Sequence, residues 1–298
     1  MGVRIAIETW PFAPAFDDFD ADVAREIAAL GADGVVCQLG TDFPPRDPRT
    51  VTENECRRVR GLLDDAGLPV AYSWGFWSAL VHADPTARRE AVERSAAALR
   101  IAHSLGAPCV VSGAGSNSTE HGWYPHPENF TAASLERLTE SAAELAPMAE
   151  ELGVIFVLKG ATLSTLGTPE DVRSVIDTVG SPFIRGGLDP VNWMRLEHVW
   201  DSAAFIDRIC DVLGDDLQIA HAKDFVLDPD LILHIREVPV GEGWLDHVSL
   251  IRAYAERKPD GWIALEHAPR DKVEAALAHL RAAVRTAESN PAIARGQR

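Results

Sequence analysis

Cysteines and long apolar runs are scarce in this chain of 298 residues. The cysteines lie far apart and form no CxxC pair, which gives no support to a zinc knuckle or a dithiol redox motif and predicts reduced, packed thiols; they are Cys37, Cys56, Cys109 and Cys210. No apolar run approaches the roughly 18 residues of a membrane span. The N-terminus, MGVRIAIETWPF, lacks the basic segment and apolar stretch of a signal peptide. We therefore expect a cytoplasmic protein that does not enter a membrane.

Basic residues are also in short supply, which gives a formal net charge of −17 at pH 7. Such a chain repels phosphate backbones, and no stripe of lysine or arginine overrides the repulsion locally, so we predict no nucleic-acid partner. Most acidic residues lie in helical stretches such as DDFDADVAREI and are interpreted as solvated surface. The apolar fraction of 46% is ample for a sizeable core.

What the sequence does contain is a repeated alternation of helix and strand. Amphipathic stretches such as REAVERSAAALRIAHSL close near a glycine, and a short apolar strand follows. The segments with this pattern are LGADGVVCQLG, AGLPVAYSWG, LGAPCVVSGAG, LGVIFVLKG, VGSPFIRGGLD, LGDDLQIAHAKD and PDGWIALEHA. With VRIAIETW at the start they make about eight βα units, which predicts an α/β fold, a single-domain (β/α)8 TIM barrel over residues 1–288. A doubly wound open sheet is the main alternative, but no GxGxxG follows the first strand. We expect residues 289–298 to form a disordered tail.

Ionisable residues occupy the predicted strand ends, where a barrel of this kind carries its chemistry. They are Glu8 in AIETW, Lys159 in VLKG, Asp189 in GLDPVNW, His221 and Lys223 in IAHAKD, and Glu266 in ALEHAP. Side chains alternate along a strand, so His221 and Lys223 share one face. Carboxylates and an imidazole from neighbouring strands would then converge on the barrel mouth, which is typical of a divalent-metal site.

Other residues near the strand ends favour binding of a ring-shaped ligand. Tryptophans at or just beyond the strand ends would form a flat apolar platform for a sugar or an aglycone; they are Trp10, Trp74, Trp77, Trp123, Trp193 and Trp244. Further candidate substrate contacts are Glu8, His126 in the long loop after the fourth strand, Asn192 and Lys223. Structural alternatives stay open: Glu8 and Lys159 as an ion pair, Lys223 with Asp224 as supports of a loop, and GEG at 241–243 as a turn instead of a backbone contact for a phosphate or hydroxyl.

The segments LDPVNW, HAKD and VPVGEGWLDHVSLIRAYAERKPDGWIALEH resemble the sugar phosphate isomerase/epimerase superfamily of xylose-isomerase-like TIM barrels. The resemblance spans nearly the whole chain. It implies that the ends of strands five to eight supply Glu, Asp, His and Glu to Mn2+, Mg2+ or a similar ion. Asp189, His221 and Glu266 match that pattern, whereas strand five has Lys159 in place of the glutamate.

Lys159 leaves two interpretations of the site open, because it changes the charge by two units and removes one ligand. In the first, its ammonium group takes the cation's place beside Asp189 and Glu266 and polarises a substrate carbonyl, without a metal. In the second, Lys159 swings aside or is partly neutral, and Mn2+ or Mg2+ binds Asp189, His221 and Glu266.

The resemblance implies an isomerase or epimerase that acts on a sugar, a polyol-derived ketone or a keto-glycoside. Proton abstraction next to the carbonyl would give an enediolate, which is reprotonated or, in a lyase, expels a leaving group. Glu266 or His221 would be the base, and Lys159 or a metal the cation. No cluster of basic residues marks a phosphate site, so we expect an unphosphorylated carbohydrate. The alternative is a non-catalytic carbohydrate-binding or partner subunit with a degenerate metal site. The oligomeric state, including a homo-oligomer, stays open.

Overall fold

Eight parallel strands close into a barrel in the computed structural model, which describes residues 2–38, 46–74 and 78–289. The barrel strands are β1 (Arg4–Glu8), β2 (Gly34–Cys37), β3 (Val70–Trp74), β4 (Cys109–Gly113), β5 (Ile155–Lys159), β6 (Ile184–Leu188), β7 (Leu217–Ala222) and β10 (Trp262–Leu265), while β8 (Asp224–Leu227) and β9 (Ile235–Val238) form a separate antiparallel hairpin. The order around the barrel is β1-β10-β7-β6-β5-β4-β3-β2, so the first strand pairs with the last. The predicted single-domain (β/α)8 TIM barrel is confirmed.

Helices connect the barrel strands and pack around them. They are α1 (Ala21–Ala29), α2 (Glu53–Asp65), α3 (Pro85–Leu105), α4 (Ala132–Leu152), α5 (Pro169–Val179), α6 (Ser202–Leu213), α7 (His247–Arg257) and α8 (Val273–Ser289). The ends of α3, α4 and α5 are left-handed glycines, Gly106, Gly153 and Gly180, with φ of 70, 64 and 66°. Glycine adopts this conformation without a clash at Cβ, which is why it so often terminates a helix before a strand.

Apolar side chains fill the barrel interior as well as the layer between strands and helices. The inner cluster includes Ala6, Val36, Tyr72, Val111, Val157, Ile219 and Ala264. These residues precede the strand ends, so they form a packed floor below the barrel mouth rather than the wall of a pore. Any polar side chain at a strand end therefore lies between this apolar floor and the loops above it.

Three further expectations concern the chain as a whole. The four cysteines are buried and free, in agreement with the prediction of packed thiols. Within the described ranges, none of the helices has the length and apolar content needed to cross a membrane. Helix α8 extends to Ser289, the first residue of the predicted tail. Residues 290–298 lie outside the described residues, so the disorder of the tail stays a prediction.

Candidate active site

Six ionisable side chains from the ends of five strands meet at the barrel mouth. They are Glu8 of β1, Lys159 of β5, Asp189 after β6, His221 of β7, Lys223 after β7 and Glu266 after β10. Each is buried, with 0–3% of its surface exposed. The structure thus brings together the charged residues that the sequence places at the strand ends, and it buries them.

Lys159 lies between two carboxylates. Its Nζ atom donates a hydrogen bond to Glu266 Oε2 and lies 3.2 Å from Asp189 Oδ2. On another side, the centroid of the Trp74 ring is 5.7 Å from Nζ, within the range of a cation–π contact. Lys159 makes no ion pair with Glu8, so the alternative in which these two residues form a structural pair is wrong.

Lys223 brings a second ammonium group to the same two carboxylates. Its Nζ atom lies 3.4 Å from Asp189 Oδ2 and 3.5 Å from Glu266 Oε2, and it donates a 2.9 Å hydrogen bond to Asn192 Oδ1. Burial disfavours the charged amine, but the neighbouring carboxylates outweigh burial and raise the pKa of Lys223. The predicted contacts Asn192 and Lys223 therefore belong to the charged cluster itself.

The two carboxylates are held ionised by these cations. Burial alone raises the pKa of Asp189, but the ammonium groups of Lys223 and Lys159 outweigh it and lower that pKa. For Glu266 the opposing contributions of His221 and the two lysines hold the pKa well below its usual range despite complete burial. Two buried carboxylates and two ammonium groups thus form a compact cluster of four charges.

His221 packs against Glu266. Burial lowers the pKa of His221 more than the adjacent carboxylate raises it. Its Nδ1 atom lies 2.9 Å from Glu266 Oε1, without the alignment of a directed hydrogen bond. Its Nε2 atom has no hydrogen-bond partner within the described part of the chain and lies against Gly187, whose Cβ, if present, would be 3.4 Å away. One ring nitrogen of His221 therefore faces Glu266, and the other faces Gly187 in β6.

Tyr72 is a site residue that the strand-end rule misses. Its hydroxyl donates a 2.8 Å hydrogen bond to Glu266 Oε1, and its ring contacts His221 edge-on with centroids 5.7 Å apart. Burial raises the pKa of Tyr72 well above its usual range, so the phenol stays protonated. Tyr72 lies in the middle of β3, two residues before Trp74, and this shared strand face was the available signal.

Glu8 lies on the β1 side of the mouth, and both of its carboxylate oxygens accept hydrogen bonds. Its Oε2 atom accepts 2.7 Å hydrogen bonds from Trp10 Nε1 and from the backbone N–H of His267, and its Oε1 atom accepts one of 2.8 Å from Gln38 Nε2. His267 has a φ of 55°, unusual for a residue with a side chain, and this turn aims its N–H at Glu8. Burial, with a contribution from nearby Glu266, raises the pKa of Glu8.

The tryptophans do not form one continuous platform. Trp74 lies beside Lys159, and Trp10 serves as a donor to Glu8. Trp123 is exposed beside His121, and Trp244, 46% exposed, stacks on Trp200 with centroids 5.4 Å apart. Trp77 lies outside the described residues.

Trp193 corrects the expectation of a tryptophan at the rim. Only 1% of its surface is exposed, and its indole N–H donates a 2.9 Å hydrogen bond to the carbonyl oxygen of Leu166. Gly160 makes room for the ring, because a Cβ there would overlap it. Trp193 is therefore part of the core, and its predicted position in a substrate platform is wrong.

Two loop features have local structural explanations. Asp224 accepts four backbone N–H groups: those of Phe225 and Leu245 at Oδ1, and those of Gly241 and Gly243 at Oδ2. The backbone N–H groups of the GEG segment thus donate to acceptors within the protein, which supports its interpretation as a turn. His126 Nδ1 accepts a 3.3 Å hydrogen bond from the backbone N–H of Glu128, so a role of His126 as a substrate contact stays a prediction.

The sequence comparison assigns the chain to a family. The family described as "Xylose isomerase-like TIM barrel" matches residues 24–283. The chain belongs to this family. The resemblance inferred from the motifs is confirmed at this level. No curated protein sequence matches the chain significantly.

Several solved structures share the complete barrel. A xylose isomerase-like TIM barrel protein from Mycobacterium smegmatis in complex with magnesium is 19% identical, with a TM-score of 0.73 over 96% of this chain and 97% of that one. An L-ribulose 3-epimerase is 17% identical, with a TM-score of 0.74 over 99% of both chains. The 3-keto-D-glucoside 4-epimerase YcjR from E. coli is 17% identical, with a TM-score of 0.71 over 94% and 99%. At these identities the likeness establishes the fold.

In this xylose isomerase-like barrel the residues at the mouth do not fit a divalent ion as they are arranged. Over residues 2–38, 46–74 and 78–289, no group of three His, Cys, Asp or Glu side chains is disposed to hold a metal. The oxygens that would face an ion, Asp189 Oδ2 and Glu266 Oε2, each contact both ammonium groups instead. A cation in that place would meet two like charges at short range.

Proposed function

We propose that this protein is a sugar isomerase or epimerase that removes a proton next to a carbonyl group and forms an enediolate. The observation that carries the proposal is the ammonium group of Lys159, enclosed at the barrel mouth between Asp189 and Glu266. Membership of the xylose isomerase-like family and the epimerases among the similar structures support it.

Lys159 is the electrophile in this proposal. An ammonium group has three N–H donors, and the described contacts of Lys159 engage two carboxylates, which leaves a donor for a substrate oxygen. In a water-poor site, a donor of this kind stabilises the negative charge that develops on a carbonyl oxygen far more than it does in water. The substrate carbonyl would therefore bind with its oxygen next to Nζ.

Glu266 is the base in this proposal. Of the two candidates, His221 has one nitrogen against Glu266 and the other against the barrel wall, which suits it to orient the carboxylate. As the spare donor of Lys159 binds the substrate oxygen, the negative charge that develops on this oxygen offsets the effect of the ammonium group on Glu266, so Glu266 becomes more basic. Its carboxylate takes the proton from the carbon next to the carbonyl; the C–H electron pair forms the C=C bond, and the carbonyl π pair moves to oxygen.

Glu8 is suited to return a proton. It follows Ile7, which pairs with Leu265, so Glu8 and Glu266 are adjacent positions of neighbouring strands. Their environments push the two pKa values apart, upward for Glu8 and downward for Glu266, as in sites that divide acid and base roles between two carboxyl groups. Protonation of the original carbon on its other face gives an epimer, protonation of the adjacent carbon gives an isomer, and loss of a leaving group would make the enzyme a lyase.

The charge balance of the site favours a neutral carbohydrate. The two lysines are matched by Asp189 and Glu266, so the cluster has no surplus positive charge to hold a phosphate. The indole of Trp74 offers an apolar face beside Lys159. We therefore propose an unphosphorylated ketose, polyol-derived ketone or keto-glycoside as the substrate, converted in the cytoplasm.

The proposal is tested by incubating the purified protein with panels of ketoses and 3-keto-glycosides, with EDTA and, separately, with Mn2+, and following products by NMR. We expect turnover of at least one α-hydroxy ketone in EDTA and loss of that turnover in Glu266→Gln. Silence of the purified chain with every substrate, relieved only by a second protein, would favour the alternative of a non-catalytic carbohydrate-binding subunit. The observation that favours this alternative is the burial of the whole charged cluster.

A further inference from the structure

We infer that Lys159 and Lys223 act as a pair, carrying together the two positive charges that a divalent ion would bring to this site. The inference goes beyond the proposed function, which needs only Lys159. Both Nζ atoms approach the same two oxygens: Asp189 Oδ2 lies 3.2 Å from Lys159 and 3.4 Å from Lys223. Glu266 Oε2 accepts the hydrogen bond of Lys159 and lies 3.5 Å from Lys223.

The strand order explains how four charges alternate without a break. Strands β10, β7, β6 and β5 are consecutive neighbours in the barrel wall. At their mouth ends they carry Glu266, Lys223, Asp189 and Lys159 in that order, which is acid, base, acid, base. The contact between Lys159 and Glu266 closes the series into a ring.

Charge neutrality requires both lysines. Asp189 and Glu266 are buried and ionised, so one ammonium group would leave a net negative charge in a site without solvent. Two ammonium groups neutralise the pair of carboxylates, as one divalent ion would. Lys223 therefore supplies one of the two positive charges, and Lys159 supplies the other.

Asn192 fixes the geometry of the ring from outside. Its side-chain oxygen accepts the 2.9 Å bond from Lys223, its side-chain amide donates to Gly160 O at 3.2 Å, and its backbone N–H donates to Asp189 Oδ1 at 3.0 Å. Asn192 thus ties the residues after β5, β6 and β7 together and aims Lys223 at the shared oxygens.

Two ammonium groups set the class of ligand. Beyond its 2.9 Å hydrogen bond to Asn192, Lys223 lies 3.4 and 3.5 Å from the two shared oxygens, which is longer than an ordinary hydrogen bond, so its ammonium group keeps donors that can turn to a ligand. One donor from each lysine can then reach one of two neighbouring oxygens, the carbonyl and hydroxyl of an α-hydroxy ketone. This is the pair of oxygens whose negative charge grows as an enediolate forms.

The test is direct Mn2+ binding, measured by electron paramagnetic resonance and calorimetry on the wild type, Lys159→Glu, Lys223→Met and the double variant Lys159→Glu/Lys223→Met. We expect no stoichiometric binding by the wild type. Lys159→Glu supplies the third carboxylate but retains one ammonium, so we expect the double variant to bind Mn2+ about 100-fold more tightly than Lys159→Glu. Equal affinity of these two variants, or tight stoichiometric Mn2+ in the wild type, would overturn the inference.

The measurement does not depend on activity, so a failure of the proposed function leaves it interpretable. If the double variant does not fold, Lys223→Met decides: in urea unfolding we expect it to lose stability to a similar degree as Lys159→Met. A Lys223→Met protein that is as stable as the wild type would overturn the pairing. Lys272→Met is the matched control, because Lys272 pairs with Glu242 at the surface, away from the cluster.

Discussion

Lys159→Met removes the ammonium group from the buried cluster while keeping most of the length and apolar contacts of the side chain. The remaining carboxylates, Asp189 and Glu266, would share only Lys223. Removal of one partner of a buried ion pair typically costs about 3–5 kcal/mol, because it leaves a charge uncompensated. Since Lys223 still lies 3.4 and 3.5 Å from the same oxygens, we expect the lower end, about 3 kcal/mol.

The pH dependence of this loss has a defined sign. In the folded protein the pKa values of Asp189 and Glu266 lie below their ordinary values of 3.8 and 4.5. Such groups contribute stability above the ordinary pKa, and the contribution disappears as the pH falls toward the folded-state pKa. The destabilisation by Lys159→Met should therefore be largest near neutral pH and shrink as the pH approaches about 4.

The assay is urea unfolding followed by circular dichroism, applied to a double-mutant cycle of Lys159→Met and Glu266→Gln. We expect a coupling energy of about 1–3 kcal/mol, because Glu266→Gln removes the negative charge that Lys159→Met would leave without its partner. Lys272→Met, which removes a surface lysine, should leave stability nearly unchanged, because exposed ion pairs contribute little. A cost of Lys159→Met no larger than that of the control, with no coupling to Glu266, would refute the buried charge cluster.

Other substitutions separate packing from binding and turn geometry from substrate contact. Trp193→Ala should lower the free energy of unfolding in urea by about 3–5 kcal/mol, because the ring is buried. Trp244→Ala should change the free energy of unfolding by less than about 1 kcal/mol and weaken ligand binding in calorimetry by about 1 kcal/mol. The reverse pattern would show that Trp193 lies at the rim and contacts the ligand. Gly160→Ala should lower the melting temperature, because its Cβ would lie 2.5 Å from the Leu166 carbonyl oxygen, while Gly187→Ala, with its nearest neighbours at 3.4 Å, should be tolerated. Asp224→Asn should cost about 2–3 kcal/mol, because an amide presents N–H groups to two of the four backbone donors that the carboxylate accepts; unchanged stability would show that the turn does not depend on them.

The strand-end residues were predictable because two regular patterns determine them. The recurrence of glycine followed by an apolar strand gives the barrel, and alternation along each strand gives the inward face of Glu8, Lys159 and His221. Both patterns are local properties of the chain.

The sharing of two oxygens by Lys159 and Lys223 was not predictable from those patterns. It depends on the order of strands around the barrel and on distances of 3.2 to 3.5 Å between residues far apart in sequence. Trp193 was misplaced because strand alternation ends with β6, and its direction is set by the loop and by the space at Gly160. The hairpin of β8 and β9 was missed for a related reason: its strands are short and partly exposed, so its apolar pattern is weak.

The most direct measurement of the central claim is solvent deuterium exchange into an α-hydroxy ketone substrate, followed by NMR with the wild type, Lys159→Met and Lys223→Met in D2O containing EDTA. We predict that the wild type exchanges the hydrogen next to the carbonyl without added metal and that each lysine variant loses this exchange. Exchange by the wild type that appears only when Mn2+ is added, or exchange that survives in either lysine variant, would contradict a site in which two ammonium groups replace the metal ion.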